Sequence, residues 1–357
     1  MKVLFVAQYG PLAASSRTRV FDYLPLLREA GVDCRVLVVA PDSLIRLNTQ
    51  GLAKRLVYYL LTWLRTVWVG WICIFATGKY DAILLQKVLF SFPIPQLLKR
   101  YKSKILFDFD DAIFTLESPG ESLLTRLRTR RRSRGLPAML SASGHAIVEN
   151  EYTAEFASRF CANVSQITGP IDTDRYSPHK KSERETIVLG WVGSPSTTRY
   201  LELIRDSLSE IGRKFPNVEL CLIGADVFEI DHLPVTNLAW ELETEVCHLG
   251  QFDIGLMPLP DDPFTKGKGG YKLLQYMAMG LPVVASPVEI NCDIVSHEHT
   301  GFLAQSDDEW VAFLETLIKD KTLRTQMGIK GRARVVERYA LKKSSTQLLT
   351  LLRHCAK

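Results

Sequence analysis

Two successive runs of alternating strand and helix patterns constrain the fold of this chain more than any other feature of its sequence. The apolar run KVLFVAQ at 2–8 has the length of a buried strand, and after a polar loop a helical spacing of apolar residues ends at Gly31. The next strand patterns are CRVLVVA, YDAILLQ, SKILFDF and HAIVEN. Strands that alternate with helices in this way predict a parallel sheet with helices on both faces.

The same pattern starts again after a linker. The stretch ITGPIDTDRYSPHKKSERE holds two prolines and a charge cluster, and strand patterns resume at TIVLGWV, VELCLIG, FDIGLMPL and PVVAS. A length of 357 residues also fits two domains. We therefore predict an α/β protein of two Rossmann-like domains, residues 1–174 and 175–340, with an amphipathic C-terminal helix in 341–357 that packs on the first domain.

Cysteine usage and charge limit the class of protein. Seven scattered cysteines without a CxxC favour reduced, mostly buried thiols in a cytoplasmic protein, and the first residues lack the pattern of a signal peptide. Residues 1–178 carry 23 Lys and Arg against 15 Asp and Glu, a net +8, whereas the remainder carries 21 against 24, a net −3. A basic first half indicates an anionic partner, such as a lipid surface, a phosphorylated acceptor or nucleic acid.

A glycine pair and three lysines surround the start of a predicted helix in the second domain. The stretch KGKGGYKLLQYMAMGLPVVAS runs from Lys266 to Ser286. Gly269 and Gly270 let the backbone approach a ligand closely, and a helix start offers N–H groups and a positive dipole end. Lysines are disfavoured there unless an anion is bound. The pattern predicts a phosphate or diphosphate site, with lysines simply solvated in a loop as the alternative.

A second helix start of this kind occurs in GWVGSPSTTRY. The strand ends at Gly193, Ser194 and its neighbours offer capping hydroxyls, and Arg199 lies in the first turn. Ordinary helix capping is the alternative interpretation. Ligands of open α/β sheets bind at the carboxyl ends of the strands, so two such starts in one domain favour a nucleoside diphosphate.

These motifs resemble the retaining glycosyltransferases of family 4, which have the two-lobed GT-B fold with a central cleft. The resemblance covers nearly the whole chain and is strongest in DIGLMPLPDDPFTKGKGGYKLLQYMAMGLPVVASPVEIN and IVSHEHTGFLA. It implies an enzyme of the hexosyltransferase type that moves a sugar, with retention, from a nucleotide diphosphate sugar to a glycan or lipid-linked acceptor. It also implies a reaction without metal or other cofactor, in cell-surface polysaccharide synthesis.

The sequence departs from the family pattern at several positions. The family carries two glutamates eight positions apart, the second of which contacts the donor ribose, and here these positions hold Gly267 and Gln275. The family's Arg/Lys pair after the first strand of the second lobe falls on Ser194 and Arg199, so that one cation is missing, and Lys268 or Lys266 is expected to replace it. A subgroup with the KLLQYM-type motif shares this pattern.

The resemblance and the chemistry together give each candidate residue a role. Arg199 and Lys268 are expected to stabilise the leaving diphosphate, and Asp110 or Asp111 to orient an acceptor hydroxyl or accept its proton. The donor-binding candidates are Gly193, Ser194, Gly269, Gly270, Tyr271, Lys272, Leu273 and Gln275. The candidates that face the acceptor or the cleft are Gly10, Ser15, Ser16, Arg17 and Arg19, for which a capped helix start with solvated arginines is the alternative. No metal site is expected, although Asp108 and Asp110 form a DxD pattern.

The stretch LVYYLLTWLRTVWVGWICIFA, from Leu56 to Ala76, is long enough to cross a bilayer. Arg65 near its middle disfavours crossing, whereas its tryptophans and tyrosines suit a membrane interface. Interfacial insertion, a core helix and a true span all remain open. The run TRLRTRRRSRG adds six arginines, which form either a solvated face or a patch for anionic lipid. We expect a peripheral protein on the inner face of the plasma membrane.

Other functional classes fit less well. No GxGxxG follows a predicted strand, which argues against a nicotinamide oxidoreductase, and the arginine run lacks the interleaved aromatics of a nucleic-acid binder. A sugar-nucleotide epimerase or phosphorylase of the same fold remains an alternative. So does a non-catalytic nucleotide-sugar-binding protein, because both family glutamates are absent.

Overall fold

The computed structural model describes residues 1–49, 51–115, 123–178 and 184–356. Contacts divide the chain into two compact units. Unit 1 comprises Met1–Pro170, Gly267–Gly269 and Leu341–Lys357, and unit 2 comprises Ile171–Lys266 and Gly270–Ala340.

In the described part of unit 1, six parallel strands form one sheet in the order β2-β1-β3-β4-β5-β6. The strands are β1 (Lys2–Tyr9), β2 (Asp33–Ala40), β3 (Ala82–Gln86), β4 (Ile105–Asp108), β5 (His145–Val148) and β6 (Val164–Gln166). The helices are α1 (Ala14–Ser16), α2 (Tyr23–Glu29), α3 (Asp42–Ile45), α4 (Leu52–Ala76), α5 (Ile94–Leu98), α6 (Leu123–Ser141) and α7 (Glu151–Ser158). The inner strands β3 and β4 are buried along their whole length, as expected of a parallel sheet covered on both faces.

In the described part of unit 2, six parallel strands form a second sheet in the order β12-β11-β10-β7-β8-β9. The strands are β7 (Ile187–Val192), β8 (Val218–Ile223), β9 (Val235–Leu238), β10 (Ile254–Met257), β11 (Val283–Ala285) and β12 (Gly301–Leu303). The helices are α8 (Arg205–Lys214), α9 (Glu245–Leu249), α10 (Tyr271–Ala278), α11 (Ile290–Ile294), α12 (Asp307–Lys319) and α13 (Lys321–Arg338). The chain then returns to unit 1 as α14 (Leu341–Cys355).

The predicted α/β class with two parallel sheets is confirmed. Three strands were not predicted, β6, β9 and β12, and each has only three or four residues. All three lie at a sheet edge. The strands β6 and β9 are only partly buried and contain polar residues, and β12 has only two apolar residues, so none of the three carries the apolar run by which strands as short as β11 were predicted.

Each sheet reverses its strand order at one place. In unit 1 the chain runs outward from β1 to β2 and then returns to β3 on the other side of β1. In unit 2 it runs from β7 through β8 to β9 and returns to β10 on the other side of β7. Open α/β sheets bind ligands beside such reversals, at the carboxyl ends of the two strands. A ligand site is therefore expected at the carboxyl ends of β1 and β3 in unit 1 and of β7 and β10 in unit 2.

Candidate functional site

The strand reversal in unit 2 brings Gly193 and Lys272 together. Gly193 follows β7, and Lys272 lies in the first turn of α10, which the loop after β10 leads into. A Cβ on Gly193 would lie 2.7 Å from the Lys272 Nζ and 2.2 Å from the Trp191 ring. The Nζ also lies 4.0 Å from the centre of that ring, a cation–π distance that holds the ammonium in place. Glycine at 193 thus leaves room for the Lys272 ammonium. In the sequence these two residues belong to separate motifs.

The start of α10 depends on the second glycine of the pair. Gly270 is its N-cap residue and has φ 65°, in the left-handed region that favours glycine. A Cβ there would lie 2.4 Å from Ile294 of α11. Leu273 is fully buried and anchors the helix in the core, whereas Tyr271 and Lys272 are half-buried. The positive end of the helix dipole therefore lies at the strand reversal, with the Lys272 side chain beside it.

The loop after Gly193 is shaped by its own hydroxyl groups. The Ser194 N–H donates to the Thr197 hydroxyl at 3.1 Å, and a 3₁₀-helix spans Pro195–Ile204. Arg199 is exposed, with its guanidinium 5.2 Å from the centre of the Tyr200 ring. The capping interpretation thus holds for Thr197, while the role of Arg199 toward a diphosphate stays a prediction.

Gln275 lies in a buried polar network rather than at the surface. It is 3% exposed, and its Nε2 donates to the Tyr176 hydroxyl at 3.2 Å and to Glu245 Oε1 at 3.1 Å. The same carboxylate accepts from the Tyr176 hydroxyl at 2.5 Å and from Trp240 Nε1 at 2.7 Å. The amide donor suits this position because Glu245 supplies only acceptors. The ribose contact implied by the family resemblance stays a prediction.

The segment Gly267–Gly269 is grouped with unit 1. The Asn150 Nδ2 donates to the Lys268 carbonyl at 3.0 Å. A Cβ on Gly267 would lie 2.3 Å from Ala112, and one on Gly269 would lie 2.4 Å from Glu149 Oε2. The glycines at both positions are therefore required by close packing, and a glutamate could not replace Gly267 without a shift of backbone. Lys266, just before the segment, pairs with Asp261 at 3.3 Å.

Arg19 is a buried structural cation in this geometry. It is 1% exposed, and its Nε donates to Asp108 at 3.0 Å while its Nη1 donates to Glu149 at 3.0 Å and to the Ile167 carbonyl. The expected place for Arg19 was a surface that faces an acceptor. The structure instead uses it to join the ends of β4, β5 and β6, because each of those strands ends in a group that needs a donor.

Glu149 is the member of this cluster with the most perturbed pKa. Its carboxylate is buried and also accepts the Gly169 N–H at 2.6 Å. Burial raises the pKa of Glu149, and although Arg19 and the Gly169 N–H lower it, the result is about 7. Burial raises the pKa of Asp108 as well. One guanidinium between two buried carboxylates thus leaves Glu149 able to take up a proton near neutral pH.

The other first-loop candidates are also satisfied inside unit 1. Ser16 is fully buried and donates to Gln86 Oε1 at 2.8 Å, and the Gln86 amide donates to Ser15 at 3.0 Å. Arg17 is 4% exposed and donates to the Leu12 carbonyl at 3.2 Å. Gly10 lies against Asp42, where a Cβ would come within 2.4 Å. The structure therefore gives these residues a role in shaping the loop after β1, and their contact with an acceptor stays a prediction.

Asp110 and Asp111 share one lysine. The Lys87 Nζ lies 2.6 Å from Asp110 Oδ1 and 2.7 Å from Asp111 Oδ2. Lys87 follows β3 and has φ 61°, an uncommon conformation for a lysine that is typical of functional sites. Burial would raise the pKa of Asp111, but Lys87 and Lys268 outweigh it and hold the pKa at about 2. At that value Asp111 is a weak base, better suited to accept a hydrogen bond than to remove a proton.

The DxD pattern does not form one site. Asp108 is held by Arg19 and Asp110 by Lys87, so the two carboxylates belong to different ion pairs. Among the described residues, no group of three His, Cys, Asp or Glu side chains is placed to hold a metal ion. A cavity of about 510 Å³ in unit 1 is lined by Lys102, His145 and Asn163, among others. It lies at the amino end of β5, away from the carboxyl ends where ligands of such sheets bind.

Sequence reasoning missed several residues of these clusters. Glu149 and Asn150 come directly after β5, and Lys87 comes directly after β3. A polar residue directly after a buried strand is a signal in the sequence that could have identified all three. Glu245 had no such signal, because its partners Tyr176 and Gln275 are 69 and 30 residues away in sequence.

Comparison with known proteins gives these clusters a family context. The sequence model of the family described as "Glycosyl transferases group 1" matches residues 186–320. A capsular polysaccharide biosynthesis glycosyltransferase, CapM of Staphylococcus aureus, is 24% identical over 174 residues. That alignment covers 45% of this chain and 44% of the relative, so the chain spans less than half of the curated relative that it matches.

Solved structures resemble the whole chain. Sucrose-phosphate synthase from Thermosynechococcus elongatus superimposes with a TM-score of 0.70 at 14% identity and covers 99% of this chain and 98% of its own. Anabaena HepE in complex with UDP and glucose gives a TM-score of 0.67 at 17% identity, with 99% of both chains covered. The predicted GT-B fold class is confirmed by these similarities. In its second unit the chain matches the sequence model of the group 1 glycosyl transferases, and in its fold it resembles sucrose-phosphate synthase and HepE.

Proposed function

We propose that this protein is a glycosyltransferase that moves a sugar from a nucleotide diphosphate sugar to a glycan or lipid-linked acceptor. The observation that carries the proposal is the meeting of Gly193, Lys272 and the start of α10 at the strand reversal of unit 2. A helix start, a lysine and a glycine without a side chain are the groups that a diphosphate site needs, and this supports the proposal. The family match of residues 186–320 includes this place.

The chemical task of the site is to stabilise the diphosphate as it leaves the sugar. The N-terminus of α10 and the Lys272 ammonium supply positive charge where the leaving group gains negative charge. Arg199 and Lys268 remain our candidates for further cations. Removal of one such group is expected to cost about 3 kcal/mol in the transition state. Asp110 and Asp111, fixed by Lys87, would accept a hydrogen bond from an acceptor hydroxyl.

The finer features of the reaction rest on the family resemblance. We propose that the anomeric configuration is retained, that no metal ion is needed because cationic side chains and helix N–H groups neutralise the diphosphate, and that the product enters a cell-surface polysaccharide. The named activity of the Staphylococcus aureus relative supports the last point. Gln275 in place of a glutamate favours one rival, a protein that binds nucleotide sugars without turnover, and an epimerase or phosphorylase of the same fold is the enzymatic rival.

We further propose that the protein acts on the cytoplasmic side of a membrane as a peripheral protein. All seven cysteines are free thiols, and five of them are buried, which suits a reducing compartment. The net charge of +8 in residues 1–178 favours an anionic surface as partner.

Two assays test the proposal in sequence. Thermal unfolding is measured with a panel of nucleotide sugars, and the true donor should raise the melting temperature because it binds only the folded state. Release of the nucleoside diphosphate is then measured with that donor and cell membranes as a source of acceptor. Protection without release would favour the non-catalytic rival, and protection by no nucleotide sugar would refute the proposal.

A further inference from the structure

Helix α4 has an inner face that packs against unit 1. Tyr58, Thr66, Val69, Cys73 and Ala76 are buried at intervals of three to eight residues, as expected for one side of a helix. Gly70 lies on the same side, where a Cβ would come within 2.4 Å of Ile94 in α5. The helix is thereby fixed along its length to the body of unit 1.

The outer face of α4 is a continuous apolar surface. Among the described residues α4 is the one helix long and apolar enough to cross a membrane, yet only 28% of its most apolar window is buried. Its large apolar side chains are between 38% and 73% exposed. They are Leu56, Val57, Tyr59, Leu60, Leu61, Trp63, Leu64, Trp68, Trp71 and Phe75. Contiguous exposed apolar surface of this kind marks an interaction site rather than an ordinary protein surface.

Arg65, which disfavours crossing of the bilayer, is turned away from this face. Its Nε donates to the Val39 carbonyl at 2.8 Å and its Nη2 to the Val38 carbonyl at 3.0 Å. The Arg65 guanidinium is therefore bonded to the backbone of β2. The stretch Leu56–Ala76 contains no other Asp, Glu, Lys or Arg. The apolar face thus runs without a charged interruption over about 30 Å of helix.

The chemistry of this face fits an anionic bilayer. Trp63, Trp68 and Trp71 lie on it, and tryptophan prefers the level of the lipid head groups. Lys54 and Arg55 precede the apolar face and Lys79 follows it, all three exposed, which places cations at both ends to meet lipid phosphates. Because the inner face is packed, the helix would lie flat in the interface rather than cross the bilayer.

A cavity of about 170 Å³ lies on the inner side of the same helix. It is lined by Tyr58, Thr62 and Thr66 of α4, by Tyr9 at the end of β1 and by Lys87 at the end of β3, among others. This is the strand reversal of unit 1, where a ligand is expected. Its hydroxyl and phenol groups can pair with sugar hydroxyls. It is smaller than the roughly 300–1,000 Å³ of sites that enclose a whole drug-sized ligand, so it would hold one end of a larger molecule.

We propose that α4 docks flat on an anionic bilayer by its outer face and that the cavity behind it binds the sugar head group of a lipid-anchored acceptor. The inference rests on the proposed glycosyl transfer and names the acceptor class for it. A single helix would thus contact both the membrane and the acceptor. Lys87 lines the cavity and pairs with Asp110 and Asp111, so a head group bound in the cavity would lie close to these two carboxylates.

Vesicle binding tests the docking face. The full chain is mixed with vesicles of phosphatidylcholine alone or with 30 mol% phosphatidylglycerol, and tryptophan emission and co-sedimentation are measured. Binding should be at least tenfold stronger to the anionic vesicles, with blue-shifted emission that shallow brominated lipids quench more than deep ones. The double variant Leu60→Glu/Trp68→Glu should lose binding. Ile329→Glu, a change at a 66% exposed residue of unit 2, is the matched control and should keep it.

Equal binding of the double variant and the control would overturn the docking face, and stronger quenching by deep bromines would overturn the flat orientation. The other three tryptophans lie in unit 2, Trp191 and Trp310 buried and Trp240 half-buried, so they contribute a constant background to these signals.

The acceptor class is tested by where transferred label appears. A panel of UDP-, GDP- and ADP-sugars, each tritiated in the sugar, is incubated with the protein and cell membranes, and products are divided into organic-extractable lipid and water-soluble glycan. Label should enter the lipid fraction, and Thr62→Val should raise the KM for the membrane acceptor about fivefold while the KM for the nucleotide sugar stays unchanged. Label only in water-soluble glycan would overturn the inference and leave the proposed function standing. Label from no donor would refute the proposed function, and the acceptor assignment would fall with it.

Discussion

Glu149 gives the structure a stability signature that depends on pH. Its pKa is about 7 in the folded protein, against about 4.5 for an ordinary glutamate. A raised pKa means that folding favours the protonated form, so its contribution to stability is fully present below pH 4.5 and is lost as pH rises through 7. A difference of about 2.5 pKa units corresponds to about 3 kcal/mol at 1.36 kcal/mol per unit.

The variant Glu149→Gln isolates this contribution. Glutamine keeps an oxygen to accept the Gly169 N–H but does not ionise, so the variant should escape the loss of stability at high pH. The free energy of unfolding is measured for the variant and the parent protein by urea denaturation with circular dichroism. The value for the variant minus that for the parent should increase by about 2–3 kcal/mol from pH 5 to pH 8. Any fixed cost of the new amide cancels in this comparison.

Glu155→Gln provides the matched control, because Glu155 is exposed on α7, the helix that follows Glu149. The control should show the same pH dependence as the parent protein. A difference between Glu149→Gln and the parent that stays constant from pH 5 to pH 8 would refute the reasoning. Arg19 would then hold the carboxylate ionised throughout.

Three further substitutions test the clusters described above. Gly193→Val should weaken nucleoside diphosphate binding at least tenfold in calorimetry, because its Cβ would lie 2.2 Å from the buried Trp191 ring on which the Lys272 ammonium packs and 2.7 Å from the Nζ itself. Gly78→Val, at a glycine with open space around it, should not weaken it. Gln275→Glu should destabilise unit 2 by roughly 2–4 kcal/mol at pH 7, since it sets a second carboxylate against Glu245, and urea denaturation of the double variant Gln275→Glu/Glu245→Gln should recover most of this loss. Lys87→Met should destabilise unit 1 by about 2 kcal/mol at pH 7 because it leaves two carboxylates without their cation. Since Lys87 lowers the pKa of Asp111, the stability that the ion pair provides is present above pH 4 and is lost toward pH 2. The difference in the free energy of unfolding between the parent protein and Lys87→Met, measured by urea denaturation, should therefore shrink on acidification. A difference that stays the same would contradict this account.

The central strands and the helix starts could be predicted from the sequence because their signals are local. The strands β3, β4 and β7 are buried along their whole length, and their apolar runs report this directly. The glycine pair before α10 and the glycine after β7 were equally readable, since a close approach of backbone requires that residue type.

The roles of the charged residues could not be predicted in the same way. Arg19 was expected to face an acceptor or to be solvated, but its partner Asp108 is 89 residues away in sequence, and only the sheet brings the two together. Arg65 was interpreted as a charge that disfavours crossing of a bilayer, and nothing in the sequence indicated that its guanidinium donates to the Val39 carbonyl of β2. The arginine run from Arg126 to Arg134 lies largely outside the residues whose side chains are described, and its attraction to anionic lipid stays a prediction.

Titration of nucleoside diphosphates into the protein tests the central claim most directly. By calorimetry, one of UDP, ADP and GDP should bind with a dissociation constant at least a hundredfold lower than that of its nucleoside. Lys272→Ala should remove most of that preference, whereas Lys321→Ala, at an exposed lysine of α13, should not. Equal affinity for nucleoside and diphosphate, or an unchanged preference in Lys272→Ala, would contradict the account.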